Sequence, residues 1–243
     1  MLYDIITIAS KELKEIMFQR GSLRSGLMNL LLIIAIVGIL FPIQMGEQWL
    51  TTPLGLVSVI WMPLFMGMGL VADAFAGERE RHTLETLLAS RLSDSAILFG
   101  KVLAAIIYCV GIAVAGLLLG AVTVNIANPG AGFYRGGLFV GAVVFSLLTA
   151  ALIAAIGVLV SLHASTVRQA YQRMSLGFLV IWLPLVLAPQ YLPESLKLRI
   201  GEWMQNSDGL QIALTVAGVL LVITTVLFAL AIARFQRAKL ILD

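Results

Sequence analysis

Glu78-Arg79-Glu80-Arg81-His82-Thr83-Leu84-Glu85-Thr86-Leu87-Leu88-Ala89-Ser90-Arg91, closed by Gly100-Lys101, is the longest charged stretch in a chain of 243 residues that is 60% hydrophobic and 12% charged. It lies between two long apolar runs. Inserting one Arg or Lys at the centre of a membrane helix costs roughly 2.5–3.5 kcal/mol, so the four consecutive charges Glu78 to Arg81 predict a segment in water. Past Thr83 the pattern changes. Leu84, Leu87 and Leu88 recur at i, i+3 and i+4 while Glu85 and Arg91 turn away, which is the period of a short amphipathic helix with an apolar stripe and no core of its own to cover it.

A loop reading Glu-Arg-Glu-Arg-x-Thr-Leu-Glu-x-Leu-Leu, with Gly-Lys some dozen residues on at the head of a new span, resembles the cytoplasmic loop between helices two and three of ABC transporter permeases of the second type, the bacterial exporter class. The residues that carry the resemblance are Glu78, Arg79, Glu80, Arg81, Thr83, Leu84, Glu85, Leu87, Leu88, Gly100 and Lys101. In that family the loop docks into a cleft on a separate ATP-hydrolysing subunit. The resemblance therefore implies an ATPase-coupling role for Glu78, Arg79, Glu80, Arg81, Thr83, Leu84, Glu85, Leu87, Leu88 and Arg91. Two positions depart from the pattern: His82 stands where the family often has a small or basic residue, and Arg91 where it usually has proline.

Composition fixes the class. With mean hydropathy +1.01 and half the charge usual in soluble domains, about 25%, the chain reads as an all-α integral membrane protein. A net charge of +3 does not point to nucleic acid, because the basic residues sit at span ends, where membrane orientation accounts for them. The single cysteine, Cys109, excludes an internal disulfide and reads as packing in an apolar run. The first apolar run starts near Leu27 behind a charged segment, and no cleaved leader is expected.

Residues 1–20 do not span, since Asp4, Lys11, Glu12, Lys14, Glu15 and Arg20 interrupt them. Leu2, Ile5, Ile6, Ala9, Leu13, Ile16 and Met17 share one helical face, so the segment is expected in the interface with its charges among headgroups. It is also similar to the elbow helix that opens this permease family, and a plain basic anchor reads equally well. Gly21 and Ser22 make the turn out of it.

Residues 21–243 form one transmembrane domain, with the coupling loop at 76–96. A hydrocarbon core of about 30 Å takes about 20 helical residues. Runs of that length are Leu27 to Met45, Leu54 to Ala72, Val102 to Val124, Leu138 to Leu162 and Leu210 to Ala233. Ser93-Asp94 caps the third, with Lys101 snorkelling to the headgroups. Leu176 to Ala188, interrupted by Pro184, is short for a crossing. Together with an amphipathic segment from Leu192 to Met204, opened by Pro193, it reads as a short fifth span and a re-entrant or interfacial helix, an element the resembled permeases carry between helices five and six. Six spans result. Of the 16 Lys and Arg residues, thirteen fall on one side and three on the other. The positive-inside rule then puts both termini and the motif loop in the cytoplasm, and the resembled class places the chain in the cytoplasmic (inner) membrane.

The chain lacks a Gly-x-x-x-x-Gly-Lys-Ser/Thr phosphate loop and a His-Glu-x-x-His motif, and no carboxylate lies deep in a span where an ion-driven carrier needs one. Met62, Met66 and Met68 would suit Cu(I), yet read better as flexible apolar lining. Gly116/Gly120, Gly137/Gly141, Ala150/Ala154 and Ala151/Ala155 are small-x-x-x-small pairs that permit close helix approach. The expectation is a permease subunit of an ATP-driven exporter, not itself an enzyme and without cofactor, paired with a separate ATPase and a second copy of itself in lipid. A non-transporting anchor that passes force to an extracytoplasmic partner is the first alternative, and an ion-coupled carrier the second.

Overall fold

The computed structural model describes residues 1–18, 23–83, 91–206 and 208–235. Leu84, Glu85, Leu87 and Leu88, with the turn at Gly21 and Ser22, lie outside the described residues. So do Arg237 and Lys239.

The described chain is helical throughout. α1 is Leu2–Phe18 and α2 is Leu23–Ala35, which runs through a π turn at Ile36–Leu40 into α3, Phe41–Met45. After a turn through Gly46, α4 is Gln48–Thr51 and α5 is Pro53–Ala72, followed by a second π turn at Asp73–Gly77 and the single turn α6, Glu78–Glu80. α7 is Asp94–Ala127, α8 Leu138–Ser161, α9 Val167–Tyr191, α10 Glu194–Asn206 and α11 Gly209–Arg234. Three of these, α7, α8 and α11, are long and apolar enough to cross a membrane, and Leu30–Met45 forms a shorter apolar helix. α7 has 34 residues, about 51 Å at 1.5 Å per residue, so it outruns the hydrocarbon. Its first two turns belong to the motif end of the molecule.

The centre is a three-helix contact of α5, α7 and α8. Small residues let them close. A Cβ added at Gly157 of α8 would come within 2.7 Å of Val71 Cβ on α5, so only glycine leaves room for this approach. Of the spaced pairs, Ala150 and Ala154 are buried and Gly120 abuts Trp49 and Pro42, whereas Gly137 and Gly141 face open space. α11 lies against α8 and buries little of itself beyond Thr224 and Ala231.

Three expectations are corrected. The helix that holds Leu176 to Ala188 outruns that apolar stretch: α9 has 25 residues and continues through Pro184. Its first turns carry Arg168 and Arg173, whose charge hid them from a count of apolar residues. α10 is a separate 13-residue helix, opened as expected after Pro193. α1 does not leave all its charges among headgroups, since it packs along α7 and turns Glu12 inward. Lys101 does not snorkel; its side chain is 1% exposed. By contrast the Ser93 cap is present, its hydroxyl accepting from the Ala96 N–H at 3.3 Å.

Candidate functional site: the base of the charged loop

The π turn at Asp73–Gly77 adds a residue to the helical register and aims the next four side chains to four different places. Glu78 points inward. Its Oε1 accepts from Lys101 Nζ at 3.0 Å, and the same ammonium donates to Glu12 Oε1 at 2.7 Å. Lys101 also lies 5.9 Å from the centroid of the Phe75 ring. The result is a buried ion triad joining α1, the exit of α5 and the start of α7.

Arg79 forks onto the end of α8, donating to Leu162 O at 2.9 Å and Ala164 O at 3.0 Å. These are carbonyls that a helix end leaves without partners. Glu80 takes the opposite terminus, its Oε2 accepting from Val167 N–H at 2.9 Å at the start of α9. A carboxylate there suits the positive end of the helix dipole. Arg81 turns back to Asp73 Oδ1 at 2.7 Å and is exposed.

Thr83 closes the turn. Its N–H donates to Glu78 O at 2.9 Å while the His82 N–H donates to Arg79 O at 3.1 Å, the paired 6→1 and 5→2 bonds of a Schellman cap. The Thr83 hydroxyl donates to the Glu78 carboxylate. His82 occupies the left-handed position of this cap with φ +57°, where a residue other than glycine costs roughly 1–2 kcal/mol. A small residue is favoured at this point for that reason, and the departure at His82 is a strained one.

The expectation that Glu78 to Arg81 sit in water holds for Glu80 and Arg81 and fails for Glu78, which is 8% exposed. Sequence reading counted four charges and missed that one has an internal counter-ion 23 residues away. Burial alone would push the Glu78 carboxyl up; the Lys101 ammonium and the Thr83 hydroxyl outweigh it and hold the group below its ordinary value. Beside the triad opens a cavity of about 180 Å³ lined by Glu12, Glu15, Asp73, Glu78, Arg81 and Lys101. Arg91, exposed at the far side of the loop, stands just before the Ser93 cap.

Away from this end, Trp61 and Phe65 of α5 meet Phe178 and Trp182 of α9 with ring centroids 5.9–6.3 Å apart. They line an apolar groove of about 410 Å³ that Met68 also borders. Met66 is half-buried in the core. Among the described residues no group of His, Cys, Asp and Glu is placed to hold a metal.

The described residues thus form a helical membrane protein whose charged segment is bonded at its base to several helices. Residues 6–206 match the sequence model described as ABC-2 family transporter protein, and the chain belongs to that family. It is a multi-pass membrane protein and the membrane component of an ABC transporter, not the ATPase itself. A comparison with curated proteins finds no match.

Proposed function

We propose that this chain is the permease subunit of an ATP-driven exporter, coupling hydrolysis on a separate ATPase to movement of cargo across the inner membrane. The observation that carries the reading is the base of the loop, where Glu78, Arg79 and Glu80 tie one short turn to α7, α8 and α9, and through Lys101 to α1, while Thr83 closes the turn on Glu78. A docking loop that transmits force needs such a root, and a merely solvated loop does not. The ATPase would seat on the apolar stripe of Leu84, Leu87 and Leu88, flanked by Glu85 and Arg91, while Glu78 to Arg81 and Thr83 hold the stripe to the bundle. The chain supplies no phosphate loop of its own.

In this reading two copies form the pathway, each with six spans, α1 as an elbow helix, and both termini and the loop in the cytoplasm, as the thirteen-to-three split of basic residues supports. ATP-driven closure of the two ATPases displaces the loops and rocks the two copies between openings. The aromatic groove between α5 and α9 offers a surface for an apolar cargo.

The testing experiment is partner capture. Burying one leucine is worth roughly 1.5–3 kcal/mol, and an aspartate in a dry contact adds an unpaired charge. Leu88→Asp should therefore abolish copurification with the ATPase while leaving expression and detergent stability near those of the parent chain, and Thr86→Ala should do neither. Full partner binding by Leu88→Asp would defeat the docking assignment.

A further inference from the structure

The loop has two legs, which share one apolar cluster through Phe75, Ile97 and Ile8 and differ in their polar attachments. The leg before it, through Glu78, Arg79 and Glu80, holds the α8–α9 turn by the Leu162 and Ala164 carbonyls and the Val167 N–H. The leg after it, α7, holds α1. A Cβ added at Gly100 would meet Ile8 Cβ at 2.6 Å, so glycine there lets the two helices pack closely. Lys101 gives the legs a direct ionic tie to α1, bonded to Glu78 on one side and Glu12 on the other.

Stability does not explain that link. Taking three charges out of water is costly, and buried ion triads are often replaced by apolar side chains without loss of stability. What an ion triad supplies that an apolar contact does not is a fixed pairing of specified groups. Here the pairing spans the root of the loop.

Resting on the exporter reading above, we infer that Glu12, Lys101 and Glu78 form a transmission latch: they make the two legs of the loop, with α1 and the α8–α9 turn, move as one body when the loop is displaced. Lys101 and Glu12 are positioning residues, since neither needs to touch the ATPase. Loss of Lys101 removes the ionic tie between the legs and α1, and it changes no residue of the docking stripe.

The test uses the full chain with its ATPase, after Cys109→Ala, and spin labels read by distance measurement. One pair crosses the latch, on Tyr3 of α1, 81% exposed, and on Arg168, exposed at the start of α9. A second pair carries one label per copy at Val140 of α8, 64% exposed. In the otherwise native chain, ATP with vanadate should shift the Val140 distance and leave the Tyr3–Arg168 distance unchanged. In Glu12→Gln/Lys101→Met the Tyr3–Arg168 distance should become nucleotide-dependent, and the Val140 shift should fall to less than half, with the ATPase still copurifying. Lys101→Arg, which keeps the cation, should restore the native behaviour. The latch is refuted if the double variant keeps both native responses. It is equally refuted if the native chain already changes its Tyr3–Arg168 distance with nucleotide, a measurement that does not depend on any latch variant folding. Failure of the native chain to capture an ATPase would instead overturn the exporter reading on which this one rests.

Discussion

The two ends of the bundle are both closed by buried polar groups, and they do it with different chemistry. At the motif end the closure is ionic, Lys101 between Glu12 and Glu78. At the opposite end it is neutral: Trp49 Nε1 donates to the Tyr134 hydroxyl at 3.0 Å, and that hydroxyl donates to Leu117 O at 2.8 Å. Trp49 is wholly buried, and Arg135 N–H donates to Leu50 O at 3.0 Å beside it. A neutral network costs little to bury and holds two loops over the helix ends. An ionic one costs more and couples elements so that disturbing one member leaves others charged and unpaired. The contrast sets a neutral, hydrogen-bonded closure at one end against an ionic one at the other.

The largest expected break in this comparison is Lys101→Met. It leaves the Glu12 and Glu78 carboxylates facing one another without their cation, and removing one partner of a buried ion pair costs about 3–5 kcal/mol. A thermal midpoint in detergent well below that of the parent chain is the expected result; an unchanged midpoint would mean water or lipid already neutralises the triad. Tyr134→Phe tests the neutral end. It strands the Trp49 N–H, while the Leu117 carbonyl keeps its helical partner inside α7; one buried group left unsatisfied costs about 1–3 kcal/mol, so the midpoint should fall less than in Lys101→Met.

Acid distinguishes the two ends further. The Glu78 carboxyl titrates below its ordinary value of 4.5, so its ionised form adds stability at every pH above that value and loses it as pH falls through the lowered folded value. Melting followed downward from about pH 6 should therefore steepen below pH 4.5, and Glu78→Gln should flatten that limb. Tyr134→Phe should leave its slope as in the parent chain. The smallest effect is a gain. His82→Gly removes the left-handed strain at φ +57° and should raise stability by about 1 kcal/mol, less whatever backbone freedom glycine adds to the unfolded chain.

Much of the helical order was legible in the linear pattern. Leu138–Ser161 and Gly209–Arg234 fall within a residue of the apolar runs that predicted them, because a helix in hydrocarbon must be apolar all round and ends where charges begin. The Ser93 cap was legible for an equally local reason, a hydroxyl one residue before a helix. α9 was not: Arg168 and Arg173 lie within its first turns, and length counted on apolar residues alone stopped short of them. The π turn at Asp73–Gly77 left no mark either, since the apolar run before it and the charges after it read the same in either register.

What the sequence alone determined is therefore the membrane class, the position of the charged loop and the family to which its residues point, all properties of neighbours along the chain. Only the tertiary structure decided where Glu78, Arg79 and Glu80 go. Their partners lie 23 residues away at Lys101 and more than 80 away at Leu162, Ala164 and Val167. A charge in a sequence looks solvated until the fold brings it a counter-ion, and what keeps Glu78 ionised in its buried place is the Lys101 ammonium with the Thr83 hydroxyl, a lysine that reads as a headgroup contact until α1 is laid along α7.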